Sequence, residues 1–201
     1  MRSPLFRQTR ALWALAITYA VCGFPAAGAQ RALADDIAIR TTAGTIVVRL
    51  DVARAPLTAR NFLHYVDTNA YQGATFYRVV RRATTPEARF EVVQGGLNPQ
   101  TARAMVTPIA LESTAQTGLH NVDGAIAMAR TSDPNSATTE FFIDVGDARY
   151  LDAGGPLGPG YAVFGRVVRG MDVVRKIHGA PASGESLAPA IRMLSITRAT
   201  R

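Results

Sequence analysis

The chain has 201 residues, 22 Lys and Arg against 15 Asp and Glu, a formal net charge of +7 and one cysteine. A lone cysteine excludes a disulfide framework and a multi-thiolate metal centre. Lys176 is the only lysine, and the arginines are scattered with no basic run longer than two; this lacks the clustering of a nucleic-acid face, so they are read as solvated surface and no nucleic-acid partner is expected.

The N-terminus has its own composition. Arg2, Arg7 and Arg10 precede an apolar run from Ala11 to Phe24, and small residues at Ala27 and Ala29 follow. Basic, apolar and A-x-A segments in that order predict a secretory signal peptide over residues 1–29, too short in its apolar part for a comfortable membrane span. An uncleaved anchor is the alternative. Cys22 lies in the run, but Tyr19 and Val21 before it suit a lipidation signal poorly. Cleavage after Ala29 removes the cysteine and three arginines, leaving 172 residues and a formal charge of +4. That length suits one domain with a substantial core.

Residues 30–36 form a short lead-in, and one domain is expected over 37–201. "IAIRTTAGTIVVRLD" alternates apolar and polar residues on both sides of Ala43-Gly44, which predicts two strands and a turn. "APLTARNFLHYVDTNAY" reads as a helix: Pro56 suits its first turn, and Ala59, Phe62, Leu63, Val66 and Ala70 share one face. Short strands follow at "TFYRVV", "FEVVQ", "GAIAMAR", "EFFIDV", "YAVFGRVV" and "IRMLSIT", with a second helix at "MDVVRKIHG". Many short strands with two helices predict an all-β barrel or sandwich whose helices cover the openings. Strict alternation in "FYRVV" puts Phe76, Arg78 and Val80 on one face and Tyr77 and Val79 on the other.

Several kinds of chemistry lack their motifs. His64, His120 and His178 are far apart in the chain and read as surface or capping histidines, so no metal is expected. There is no G-x-S-x-G elbow. "GGPLGPG" has neither P-loop nor dinucleotide spacing and reads as a loop, and Asp133-Pro134-Asn135 reads as a turn. With no nucleophile–base pair and no cofactor site, any catalysis is expected to be non-covalent.

From Ile37 to Thr197 the peptides "APLTARNFLHYV", "YQGATFYRVV", "VVQGGL", "GAIAMARTSDPNSATTEFFI", "YLD" and "YAVFGRVVRGMDVV", in that order, resemble the cyclophilin-type peptidyl-prolyl cis-trans isomerases, and their exported bacterial branch in particular. The resemblance implies a mainly β fold, a closed eight-stranded antiparallel barrel capped by two α-helices. It implies an enzyme that rotates X–Pro peptide bonds without a cofactor. Its partners would be proline-containing unfolded or folding polypeptides, met in the periplasm by a monomer; secretion or N-terminal membrane anchoring are the alternatives.

By the same resemblance Arg78 is the catalytic cation and Gln94 binds substrate backbone and places the arginine. Phe142 is the floor of the proline pocket. Val92, Leu151 and Tyr161 match wall and rim positions, and Ala129 and Arg130 match a stretch that pairs with substrate main chain. The chain also departs from the family pattern. Tyr77 stands where His is usual. Glu140 replaces Gln, and its carboxylate could orient Arg78 or partly neutralise it. Tyr150 replaces the Trp associated with tight cyclosporin binding, so cyclosporin-type ligands are expected to bind weakly. The 15 residues between Arg78 and Gln94 exceed the family's usual spacing. Counting aligns the pocket Phe with Glu91; Phe90 takes the place if a bulge shifts the register. The polar "RRATTPEAR" is expected to form a loop beside the pocket, within residues 81–91. Two other readings remain at this point: a chaperone module that binds proline segments with little turnover, and a barrel that carries small apolar ligands in an open interior.

Overall fold

The computed structural model describes residues 36–83, 89–97 and 106–199. The expected signal peptide lies outside these residues. The strands are β1 (Asp36–Thr41), β2 (Gly44–Leu50), β3 (Thr75–Ala83), β4 (Arg89–Gly96), β5 (Ala125–Met128), β6 (Phe141–Asp144), β7 (Val163–Arg169), β8 (Ala182–Ser183) and β9 (Ser186–Arg198). The helices are α1 (Pro56–Asp67), a single turn α2 (Thr114–Thr117) and α3 (Met171–His178), and a 3-10 turn spans Arg149–Leu151. The sequence reading found α1 and α3 but not these two short pieces. The strands pair antiparallel in the order β1-β2-β7-β5-β6-β4-β3-β9, and β9 returns to β1, closing an eight-stranded barrel; two-residue β8 is a flap on β9. Asp36, placed in the lead-in by the sequence reading, opens β1 and pairs with Arg49.

The interior is filled. Ile37, Ile39, Ile46, Val48, Phe76, Phe141, Ile143 and Phe164 are fully buried and join Phe62 of α1 and Val174 and Ile177 of α3 in one core. Phe62 lies 5.4 Å from Phe141, edge to face, and 5.3 Å from Phe164. Such packing leaves no open lumen, which removes the carrier reading. The free N–H groups at the start of α1 are met from a distance. The Glu112 carboxylate accepts from Leu57 N–H (3.0 Å) and from Thr58 N–H (2.7 Å) and hydroxyl (2.6 Å), placing negative charge where the helix favours it.

Strict alternation fails in β3. Phe76 pairs with Gly95 and Arg78 with Gln94, so Tyr77 is an extra residue in a β-bulge. Phe76 and Val79 therefore both enter the core, while Val80 joins a second apolar cluster outside the barrel with Val92, Phe142 and Leu151. Beyond the bulge the β3–β4 ladder is regular from Val79↔Val93 to Ala83↔Arg89. The expected loop over "RRATTPEAR" is corrected at both its ends: residues 81–83 and 89 continue the two strands as a ribbon. A ribbon satisfies the backbone groups that a loop would leave to water.

Candidate active site

Two features of local chain geometry build the site on the outer face of β3, β4 and β6. The first is the bulge, which turns Arg78 outward while Phe76 stays in the core. The second is the Gly95-Gly96 pair. A Cβ on Gly95 would lie 2.5 Å from the Thr75 carbonyl, and one on Gly96, whose φ is +145°, would lie 2.8 Å from Glu140 Cα. These glycines let β3 and the segment before β6 close on β4, and the pairing Gln94↔Phe142 sets both side chains side by side.

A cavity of about 90 Å³ opens there, lined by Arg78, Phe90, Val92, Gln94, Ala129, Arg130, Phe142, Leu151 and Tyr161. Nine of the eleven residues singled out from the sequence thus meet at one place. Phe90 reaches it by plain alternation with Val92 and Gln94 along β4, with no bulge in that strand. Tyr150 stands behind it, its ring stacked on Phe90 at 5.9 Å. Glu140 lines the adjoining, larger cavity of about 510 Å³ instead. Tyr161 packs edge-on against Phe142 at 5.4 Å, and the Arg130 guanidinium lies 4.7 Å from the Tyr161 ring centre. Arg130 is fixed by donating to the carbonyls of Gly160 (2.9 Å) and Thr131 (2.8 Å). The Ala129 N–H donates to the Glu140 carbonyl at 2.9 Å, so the Ala129 carbonyl is the group left for a substrate strand.

Arg78 is held from two sides. Its NH1 donates to Gln94 Oε1 at 2.7 Å. Its Nε and NH2 both donate to Glu185 Oε2, at 2.9 and 2.6 Å. Glu185 is the one functional side chain that sequence reasoning missed. It sits in the two-residue turn between β8 and β9, where Gly184 has φ +60° and Ser183 pairs with Ser186. The turn is anchored by Val79 N–H donating to the Glu185 carbonyl at 2.8 Å. The peptide "SGES" has turn composition, but the sequence reading did not single it out, and nothing local shows that it folds against a strand 107 positions earlier.

Glu140 does not meet Arg78. It accepts from the Tyr77 hydroxyl at 2.7 Å and from Gln94 Nε2 at 3.2 Å, and Gln94 Nε2 also donates to the Tyr77 oxygen at 2.8 Å. The expectation that Glu140 orients or neutralises the arginine is corrected to an indirect one, through Gln94. Burial, reinforced by the hydrogen bond to Glu140, raises the Tyr77 pKa above the ordinary tyrosine range. Tyr77 therefore stays a hydroxyl and fixes the Gln94 amide with its oxygen toward Arg78.

A guanidinium has five N–H donors. Three are engaged here, which leaves one on NH1 and one on NH2 at the mouth of an apolar cavity. Such a site can seat a proline ring and present a fixed cation to the amide beside it. Among the described residues no cluster of three or more His, Cys, Asp or Glu is arranged to hold a metal ion.

Comparison with known proteins agrees with this geometry. Residues 36–198 match the model of the family "cyclophilin type peptidyl-prolyl cis-trans isomerase/CLD". The chain is 40% identical over 147 residues to a peptidyl-prolyl cis-trans isomerase of Acinetobacter baylyi, covering 73% of each chain. It is 39% identical over 152 residues to peptidyl-prolyl cis-trans isomerase B of Escherichia coli, covering 75% of this chain and 87% of that one. A crystal structure of a cyclophilin-type isomerase from Cryptosporidium parvum shares the fold, with a TM-score of 0.67 at 19% identity, over 83% of this chain and 99% of that one. The bulged strand carrying Arg78, the apolar cavity beside it and the match along the whole barrel place this chain in the family of cyclophilin-type peptidyl-prolyl cis-trans isomerases.

Proposed function

We propose that Arg78, held between Gln94 and Glu185, carries the peptidyl-prolyl isomerase activity of this chain by stabilising the twisted X–Pro amide. The planar amide resists rotation by about 18–20 kcal/mol because its nitrogen lone pair is conjugated with the carbonyl. As the bond turns, the lone pair leaves conjugation and becomes a better acceptor. The two free N–H groups of Arg78 bind that state more strongly than either planar state, and only such differential binding speeds the step. The ring of proline fits among Phe142, Val92, Leu151, Tyr161 and Phe90. No bond is made or broken, so neither nucleophile nor cofactor is required. The observation that carries this reading is the three-point hold on Arg78 at the mouth of the apolar cavity. The test is cis–trans exchange of an X–Pro peptide followed by NMR: exchange no faster than in buffer would sink it.

The binding-only reading rested on the insertion after Arg78 and on Glu140; Glu140 reaches Gln94 and Tyr77 rather than the arginine, and the retained Arg78, Gln94 and Phe142 favour the enzyme. The N-terminal order of basic, apolar and small residues supports export, and the clients we propose are proline-containing chains folding in the periplasm.

Two further results are expected. Glu185→Gln should lower kcat/KM about fivefold with little change in peptide affinity. It weakens the hold on Nε and NH2 but leaves Gln94, and a partly exposed ion pair contributes about 1 kcal/mol or less. Unchanged kcat/KM would show that Gln94 alone sets the arginine. For inhibition, Tyr150→Trp should tighten cyclosporin binding about fivefold by supplying an indole N–H, a hydrogen bond contributing about 1 kcal/mol. Titration of isomerase inhibition in both forms measures this, and equal inhibition would remove Tyr150 as the cause of weak binding.

A further inference from the structure

The arginines that look scattered in the sequence gather on one wall. The four neighbouring strands β9, β1, β2 and β7 hold six arginines and a single acid, Asp36; Arg198, opposite inward-facing Ile37, turns to Asp67 of α1 at 2.8 Å, which leaves five for the wall. The core side chains Ile37, Ile39, Ile46, Val48 and Leu50 point inward, so Arg40 and Arg49 point out. Cross-strand pairing sets Arg166 directly opposite Arg49, and Arg169 opposite outward-facing Val47. Like charges in directly opposed positions repel. Asp36 neutralises only Arg49, with bonds of 2.7 and 2.9 Å. Arg40, Arg166 and Arg169 make no ion pair among the described residues.

Beside Arg40 the β1–β9 ladder carries a bulge. Arg40 pairs with Ser195 and Thr41 with Met193, so Leu194 is the extra residue. It is 61% exposed, the most exposed large apolar side chain among the described residues. An exposed leucine set among unpaired arginines serves no purpose in the core or in the proline pocket.

The position of this wall bears on what it can meet. In the closed order β1-β2-β7-β5-β6-β4-β3-β9, strand β2 stands four places from β4. The wall is therefore on the opposite side of the barrel from Val92 and Gln94.

We propose that this wall docks the protein on an anionic phospholipid bilayer, with the proline pocket facing away from the membrane. The arginines supply attraction to the headgroups and Leu194 an apolar side chain to insert among them. The short side chains between them, Ala38, Thr45 and Thr197, border with Arg40 and Arg169 a cavity of about 240 Å³ that holds no aromatic anchor of the kind a protein partner needs. A bilayer needs none.

The test is co-sedimentation of residues 30–201, which contain the whole closed barrel and its core, with phosphatidylcholine vesicles with and without phosphatidylglycerol. Wild type should pellet only with the anionic vesicles and be released by salt. The triple variant Arg40→Gln, Arg166→Gln, Arg169→Gln should bind roughly a hundredfold more weakly, and Leu194→Ser several-fold more weakly, both with unchanged peptide isomerisation. Vesicle-bound wild type should isomerise peptide as fast as free protein. Equal binding to neutral vesicles, equal binding by the triple variant, or loss of activity on docking would each overturn the proposal. So would capture of polyglutamate without any capture of vesicles, which would reassign the wall to acidic polypeptides.

Discussion

Arg78→Ala should cut kcat/KM for an X–Pro peptide by about a thousandfold, some 4 kcal/mol of lost transition-state stabilisation. The loss should fall on kcat, because the apolar cavity that seats the proline ring is unchanged and the arginine's bonds are strongest to the twisted amide. Stability should move by no more than about 1 kcal/mol, since the guanidinium and its Glu185 partner are 41% and 33% exposed. Arg78→Lys should recover little. An ammonium is a point charge on a flexible stem and cannot meet Gln94 and Glu185 at once while aiming at a third group. NMR exchange rates for the three forms, with urea midpoints to confirm folding, measure this. An Arg78→Ala form as active as wild type would move the catalytic group elsewhere in the cavity.

The second large effect concerns stability. Asp144, the last residue of β6, is fully buried, and neither of its carboxylate oxygens finds a hydrogen-bond partner among the described residues. It pairs with Val92 across the ladder, so it lies on the pocket's side of the sheet, behind the proline cavity. Burial raises its pKa well above the ordinary aspartate range, and Asp152, Asp123 and Asp147 add to the rise. Those three carboxylates are themselves engaged, with His120, Arg175 and Arg149 respectively. The raised value fixes the sign of the pH dependence. As pH climbs past the usual aspartate range, the unfolded chain releases its proton first. The folded state then holds more protons than the unfolded one, and stability falls until the raised folded value is passed. Asp144→Leu, close in shape and apolar, should therefore stabilise the protein near neutral pH by about 2 kcal/mol, or roughly 5 °C in Tm. The gain should shrink in mildly acidic buffer. Thermal melts at the two pH values check this, and a destabilised variant at both would show that the carboxyl has a partner after all.

Sequence alone was most informative where chemistry is local. Gln94 with its two glycines, Phe142 in "EFFI" and Arg78 in "FYR" each sit in a short peptide whose order along the chain points to one family. The barrel followed from the same order. What was not legible depends on pairing across the sheet. The bulge at Tyr77 is set by how β3 meets β4, so alternation put Phe76 on the arginine's face. Phe90 entered the pocket by the phase of β4, which counting from the family pattern put one residue off. The insertion was read as a loop from its polarity, although Arg81 and Glu91 are opposed in a regular ladder. Glu185 and the arginine wall are purely tertiary, because antiparallel register alone brings Arg49 to Arg166 and the β8–β9 turn to Arg78.

The seam between β1 and β9 bears on when the molecule can become whole. The Ala199 N–H donates to the Asp36 carbonyl at 2.7 Å, and Ile37 pairs with Arg198. The first strand to be synthesised must wait for the last, exposing an unpaired edge throughout. Closing a loop that long is a slow, non-local event. A chain threaded through a membrane pore in extended form would seal its barrel only after its final strand emerged. The same neighbouring ends make the barrel a good candidate for circular permutation, with new termini in an exposed turn and a short linker across the seam.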